Sequence, residues 1–274
     1  MRIRIRHETS YAYASPARSA LQFLRLMPRS SDGQFVRRWR VEVDVDARLD
    51  RSMDAYGNIT HLIFIDGPIE RLHIVAEGDV HTRDMGGVVS GTLERLPLAF
   101  YLRGTALTHA SEPIRLFARR HLTAEGGDVL AAMHALNSSL FQDMAFDVSA
   151  TSASTTASEA FARKEGVCQD FAHILIAAAR SIGAPARYVS GYFMRTDRDD
   201  QEAGHAWAEV HVDGLGWIGF DPAHGMCITD QHVRVAVGAD YCDAAPVRGA
   251  QVGGYDEQLG VNIAVTQGQQ IVEG

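Results

Sequence analysis

Residues 204–222 read Gly204-His205-Ala206-Trp207-Ala208-Glu209-Val210-His211-Val212-Asp213-Gly214-Leu215-Gly216-Trp217-Ile218-Gly219-Phe220-Asp221-Pro222. Two strand-like runs flank a turn containing Gly214 and Gly216, which predicts a β-hairpin. If the turn centres between 213 and 214.5, antiparallel pairing sets His205 opposite a residue between 221 and 224. Asp221 then becomes its cross-strand or diagonal neighbour. Directly opposed residues have Cβ atoms about 4.5–5.5 Å apart and diagonal ones about 7–8 Å, within or close to reach of an imidazole–carboxylate hydrogen bond. An imidazole held in this way can take a proton from a nucleophile, while the carboxylate fixes its tautomer and stabilises the imidazolium. The competing reading is an ordinary strand histidine beside an Asp-Pro turn.

Upstream of the hairpin, Cys168 to Ile182 is apolar nearly all round and ends at Gly183, with Pro185 two residues on. That pattern predicts a buried helix with a clear stop. Gly166-Val167-Cys168 puts a thiol at the helix's first turn, where unpaired N–H groups and the positive end of the dipole favour an anion. Helix N-termini or a neighbouring imidazolium bring cysteine from about 8.5 down to about 3.5–7.5. The alternative is a small buried residue, the usual fate of an intracellular cysteine. Asp170 and His173 share the helix, but at 100° per residue Asp170 points well away from the thiol, which predicts a polar packing role.

Helical spacing also covers the residues ahead of Cys168. Ser111-Glu112-Pro113 is a helix start, Val129, Met133, Leu136, Leu140 and Phe141 share a face, and Ala157 to Lys164 predicts a shorter helix stopped by Gly166. Beyond it strands return at Arg187–Met194, His205–Val212, Trp217–Asp221, His232–Val237 and Val261–Thr266. The first 85 or so residues read differently, with period-2 alternation at Arg2–His7, Arg40–Val45, Ile59–Ile65 and Leu72–His81, a turn at Asp54–Asn58 and no convincing helix. Gly86-Gly87 and Ser90-Gly91 mark the change. The expected division is a β-rich domain over 1–95 and a mixed α and β unit over 96–274.

With 274 residues, 46% hydrophobic and 22% charged, the chain has the composition of a soluble globular protein. Arginines interrupt the N-terminus where a signal peptide needs an apolar run, and no segment reaches membrane-spanning length, so a cytoplasmic, membrane-free protein is expected. A net charge of -8 argues against general nucleic-acid binding. Residues 1–40 nevertheless carry nine Arg against Glu8 and Asp32, and the alternation of Arg2, Arg4 and Arg6 reads as protection of a sheet edge. Three cysteines without a CxxC pair indicate a reducing compartment. His224, Cys227 and Cys242, with His211 or His232, make only half of a usual zinc ligand set, so no metal is expected.

Taken together, the order Cys…His…Asp resembles the transglutaminase-like cysteine peptidase superfamily, specifically its bacterial members with a β-rich N-terminal region. The resemblance rests on Gly166-Val167-Cys168-Gln169-Asp170-Phe171-Ala172-His173, on Gly183-Ala184-Pro185-Ala186-Arg187-Tyr188-Val189-Ser190-Gly191-Tyr192, on His205-Ala206-Trp207, and on Gly216 to Pro222. The tail Gly238-Ala239-Asp240-Tyr241 is similar to the family's, except that Ala239 stands where relatives usually have Arg. His7 to Tyr13, Leu26-Met27-Pro28-Arg29 and Asp54 to Asn58 resemble its N-terminal region.

The resemblance implies an α+β fold with a papain-like core, its nucleophile helix packed on an antiparallel sheet. It implies Cys168 as nucleophile, His205 as general base then acid, and Asp221 as orienter, acting on a peptide or protein substrate without a cofactor. Trp207, Asp240 and Tyr241 are candidate substrate contacts, with a core position the competing reading for the tryptophan. The expected activity is a cysteine peptidase or amidase, with transglutaminase-type amine transfer as a variant. A catalytically silent peptide- or protein-binding module is the alternative, and oligomeric state is not legible.

Overall fold

The computed structural model describes residues 1–197 and 199–268. The chain begins with β1 (Arg2–Met27), β2 (Gln34–Val43), β3 (Arg48–Met53), β4 (Ile59–Thr82) and the short β5 (Val88–Val89). After a 3-10 turn at Leu98–Leu102 come α1 (Glu112–Ala124), α2 (Val129–Asp143), β6 (Ala145–Phe146), α3 (Ala157–Arg163), β7 (Glu165–Gly166) and α4 (Cys168–Ser181). Then follow β8 (Ala186–Phe193), β9 (Asp200–Gln201), β10 (His205–Val212), β11 (Gly216–Asp221), β12 (Met226–Cys227) and β13 (His232–Gly238). The described chain closes with α5 (Tyr241–Ala244), β14 (Val247–Gly253) and β15 (Glu257–Gln267). The fold is α+β: a β-rich N-terminal sheet, then helices against a curled antiparallel sheet.

In the first sheet the order is β2-β4-β1-β15-β9, with β14 also on β1 and β3 on β4. Ile59–Ile65 and Leu72–His81, expected as two strands, are parts of the single strand β4, which runs through Gly67-Pro68. β1 and β4 pair along most of their length, with register shifts around Ala12, Ala17 and Leu24. Those irregularities let β1 hand its other edge from β15 to β14. Alternation puts Ile3, Ile5, His7 and Thr9 inside while Arg4 and Arg6 face out.

The N-terminal arginines do not guard an edge. β1 lies between β4 and β15, so its arginines meet carboxylates on the neighbouring strand: Arg6 pairs with Glu77, and Arg2 with Asp79 at 3.3 Å. From the far side of β4, Arg40 pairs with Glu77 at 2.5 Å and Arg38 with Asp79. Cross-strand charge pairing therefore engages Arg2, Arg6, Arg38 and Arg40 of the basic stretch.

The second sheet runs β12-β11-β10-β8-β13, with β5 on β11. The apolar side of α4 (Phe171, Ile174, Leu175, Ala178) shares a core with Tyr188, Ala208, Val210 and Phe220 of the sheet and with Ile114, Met133, Leu136 and Phe161 of α1–α3. Local side chains set several helix ends. Pro113 stands in the first turn of α1, Asp128 caps α2 by accepting from the Ala131 N–H, and Thr156 with Glu159 forms a capping box on α3. α3 stops at Lys164, which adopts a left-handed conformation (φ 62°), and not at Gly166. The α4 stop is the expected one, with Gly183 at φ 85°.

A third apolar cluster joins the sheets, packing Ile3, Ile5 and Val80 against Tyr192, Val233 and Val235. β13 ends the second sheet, and two side-chain amides, one from β2 and one from the turn before β4, serve its backbone. Gln34 brackets Arg234, donating to its carbonyl (2.7 Å) and accepting from its N–H (2.9 Å); Asn58 does the same for Val237 (2.7 and 2.8 Å). Each amide supplies one donor and one acceptor, as a neighbouring strand would.

Candidate active site

Two elements bring the expected triad together. In the hairpin β10–β11, Ala208 pairs with Phe220 and Val212 with Gly216. Continuing that register would put Ala223 opposite His205, which leaves Asp221 on the diagonal. The side chains close the gap: His205 Nε2 lies 2.6 Å from Asp221 Oδ2. Cys168 opens α4, is partly exposed, and lies near enough to His205 to raise the proton affinity of the ring. Since Nε2 belongs to Asp221, Nδ1 is the ring nitrogen left for the thiol.

Burial works against a charged His205, yet the Asp221 carboxylate beside it, followed by Cys168, raises its pKa to about 10. Burial likewise pushes Asp221 up, but the charge and hydrogen bond of His205, with further bonds from His224 and His232, hold it well below the usual carboxylate range. The pair therefore favours an imidazolium–carboxylate state.

Sequence reading missed two further imidazoles at the same carboxylate. His224 Nδ1 lies 2.8 Å and His232 Nε2 3.1 Å from Asp221 Oδ2, while Oδ1 accepts from the Ala223 N–H at 3.2 Å. His224 could have been found from its place three residues after Asp221. His232 arrives from β13, and nothing in the local pattern reports that. His205, Asp221 and His232 offer atoms within 4.8 Å of one another, of types a divalent ion accepts. His232 Nδ1, however, accepts the Thr229 N–H at 3.1 Å, so Nε2 must carry the ring proton. A metal would need a lone pair there, so these groups form a hydrogen-bonding hub and do not suit a metal.

The other candidates fall at varying depths. Trp207 is fully buried against Val189 and Val237, with its ring edge on His232, so it is a packing surface behind the site with no solvent-facing wall. Asp240 is buried and accepts from the Cys242 N–H, capping α5. Tyr241 is partly buried against the helix core, 6.3 Å from Tyr188 ring to ring. Ala239 is buried, and its carbonyl accepts from Arg180 at 2.8 Å.

Asp170 packs beneath the thiol's turn, accepting from the Val167 N–H (2.9 Å) and the Thr151 hydroxyl (2.6 Å). A Cβ on Gly166 would come within 2.7–2.9 Å of that side chain, which explains the glycine. His173 accepts the Tyr241 N–H at 3.1 Å, and burial, then Arg180, pushes its pKa down to about 3. It therefore ties α4 to α5 as a neutral ring.

A cysteine-bearing helix laid on an antiparallel sheet, with histidine and aspartate on the adjoining hairpin, defines the papain-like class of architecture. Residues 117–222 match the transglutaminase-like superfamily, and residues 3–81 match the bacterial transglutaminase-like N-terminal region. An uncharacterized protein of Mycobacterium leprae is 29% identical over 97% of this chain and 99% of its own. One of Mycobacterium tuberculosis is 30% identical over 90% of this chain and 87% of its own. A Cytophaga hutchinsonii protein solved as "a Putative Cysteine Protease" superimposes with a TM-score of 0.74 at 18% identity, covering 98% of this chain and 92% of that one. The chain belongs to the transglutaminase-like superfamily and carries its bacterial N-terminal region.

Proposed function

We propose that the protein is a thiol-dependent acyl-transfer enzyme for peptide or carboxamide bonds, and in its simplest form a cysteine peptidase or amidase. The observation that carries this reading is the 2.6 Å bond from His205 to Asp221, on a ring whose proton affinity Cys168, at the start of α4, also raises. In the resting imidazolium His205 Nδ1 already holds the proton given up by the thiol, and the Sγ anion attacks the carbonyl carbon. Negative charge develops on the carbonyl oxygen, and the Cys168 N–H, ahead of the intrahelical ladder, is a donor for it. Collapse breaks the C–N bond, and the departing amine takes the proton from His205, leaving a thioester. Water, deprotonated by the same ring, attacks the thioester and regenerates the thiol; a primary amine in its place gives transfer.

The substrate in this reading is a peptide or protein. The division into a β-rich part over 1–95 and a catalytic part over 96–274 belongs to the same proposal; helices begin only after residue 98, but β9, β14 and β15 return to complete the first sheet, and β5 joins the second.

The test is digestion of a peptide library with and without an added primary amine, together with iodoacetamide labelling of Cys168 at pH 6. Cleaved products mean hydrolysis, and amine-tagged products mean transfer. Fast labelling that disappears in His205→Ala supports the thiol–imidazole pair. No product in either digestion, with labelling at the rate of an ordinary thiol, rejects the enzyme.

A further inference from the structure

Asp221 Oδ2 is approached by three imidazoles, at 2.6 Å from His205, 2.8 Å from His224 and 3.1 Å from His232. One imidazole is enough for a triad. Resting on the function proposed above, we infer that His232 is a positioning residue, a neutral ring that locks the Asp221 carboxylate so that His205 keeps its tautomer and orientation.

Three observations make His232 suited to this. First, its tautomer is fixed: the Thr229 N–H donates to Nδ1, so Nε2 carries a proton and points it at Asp221. Moving the ring proton to Nδ1 would set donor against donor. Second, its orientation is fixed by packing, with the Phe193 ring 4.7 Å away on one side and the edge of Trp207 5.3 Å away on another, and its side chain is 1% exposed. Third, burial lowers its proton affinity despite the nearby carboxylate, so it donates without adding a competing cation. The negative charge of Asp221 then remains for His205. Ionisable groups also facing this cluster are His224, whose side chain is 32% exposed, and Cys168, which raises the proton affinity of His205.

The backbone that carries His232 is itself held from the N-terminal sheet. Two residues on, Gln34 brackets Arg234, and two residues before, the Thr82 hydroxyl donates to the Asp230 carbonyl at 2.5 Å. Through these bonds the N-terminal sheet holds the backbone on both sides of His232.

The experiment measures iodoacetamide labelling of Cys168, by mass spectrometry of its peptide, from pH 4 to 9 in the full-length protein and in three variants. His232→Met fills the space without a donor, His232→Ala empties it, and His232→Gln keeps an acceptor for Thr229 and a donor for Asp221. His232→Met and His232→Ala are expected to slow labelling at pH 6 about tenfold, with His232→Gln within about threefold of the parent, as for outer partners that orient a reacting group. Thermal unfolding identifies any variant that fails to fold, and His232→Met against His232→Gln then decides the matter. Equal loss in both, or loss in neither, overturns the inference. A parent protein whose Cys168 labels like an ordinary thiol at pH 6 instead rejects the function on which it rests.

Discussion

A buried carboxylate that accepts from three imidazoles at once does so best as an anion, and Asp221 is held in that form by its neighbours. Asp221→Asn preserves the shape and one carbonyl acceptor but removes the charge that raises His205. The expected result is a loss of about 10³–10⁴ in kcat on a cleavable peptide, the scale seen when a triad carboxylate becomes an amide. The pH profile of Cys168 labelling should change as well, because His205 loses the partner that holds its proton. An unchanged profile in a folded Asp221→Asn protein would contradict the role given to this residue. The pairing of His205 with Asp221 was legible because a hairpin converts sequence distance into register. His224 and His232 were read only as scattered possible ligands; the three-residue spacing from Asp221 was a usable signal for His224, whereas His232 depends on the crossover through β12 into β13, and no periodicity encodes that path.

At the level of elements, α4 depends on contacts made just ahead of its first turn. A methyl group on Gly166 would press into the Asp170 carboxyl, displacing the side chain that accepts from the Val167 N–H. Gly166→Ala is expected to destabilise the fold by about 1–3 kcal/mol, as overpacking does. It should also slow Cys168 labelling, since the turn carrying the thiol must shift; urea unfolding and the labelling rate check both effects. β13 provides a second case. Gln34→Leu removes the amide that pairs with Arg234 and leaves a partly buried N–H and carbonyl without that partner, an expected cost of about 1–3 kcal/mol readable as a lower urea midpoint. Period-2 alternation identified strands in this half but not their lengths. β4 keeps its alternation on both sides of Gly67-Pro68, so local pattern divides what cross-strand pairing with β1 joins. The same limit produced the edge reading of Arg2, Arg4 and Arg6, because alternation shows which side chains face out and is silent on how many strands lie alongside.

Across the whole molecule, the two sheets meet at a seam where His7 of β1 faces Tyr192 of β8, with Nδ1 2.9 Å from the phenol oxygen. Burial pushes the His7 pKa down to about 4, whereas an unfolded histidine titrates near 6.5. Between those values the unfolded chain binds more protons than the folded one, so stability is lost as pH falls from 6.5 toward 4, by about 3 kcal/mol for this residue. His173 adds to the same limb from inside the helix core, with a pKa near 3. His205 acts in the opposite direction. Its pKa is raised to about 10, so its contribution is fully present below 6.5 and disappears as pH climbs toward 10. Unfolding free energy measured by urea titration should therefore decline on both sides of about pH 6.5. His7→Gln, which can keep a bond to Tyr192 but does not titrate, should flatten the acid limb while leaving the alkaline limb intact, and His205→Gln should do the reverse. If His7→Gln left the slope between pH 6.5 and 4 unchanged, the proton would not be entering at the seam, and the acid sensitivity of the junction between the sheets would have to come from another group.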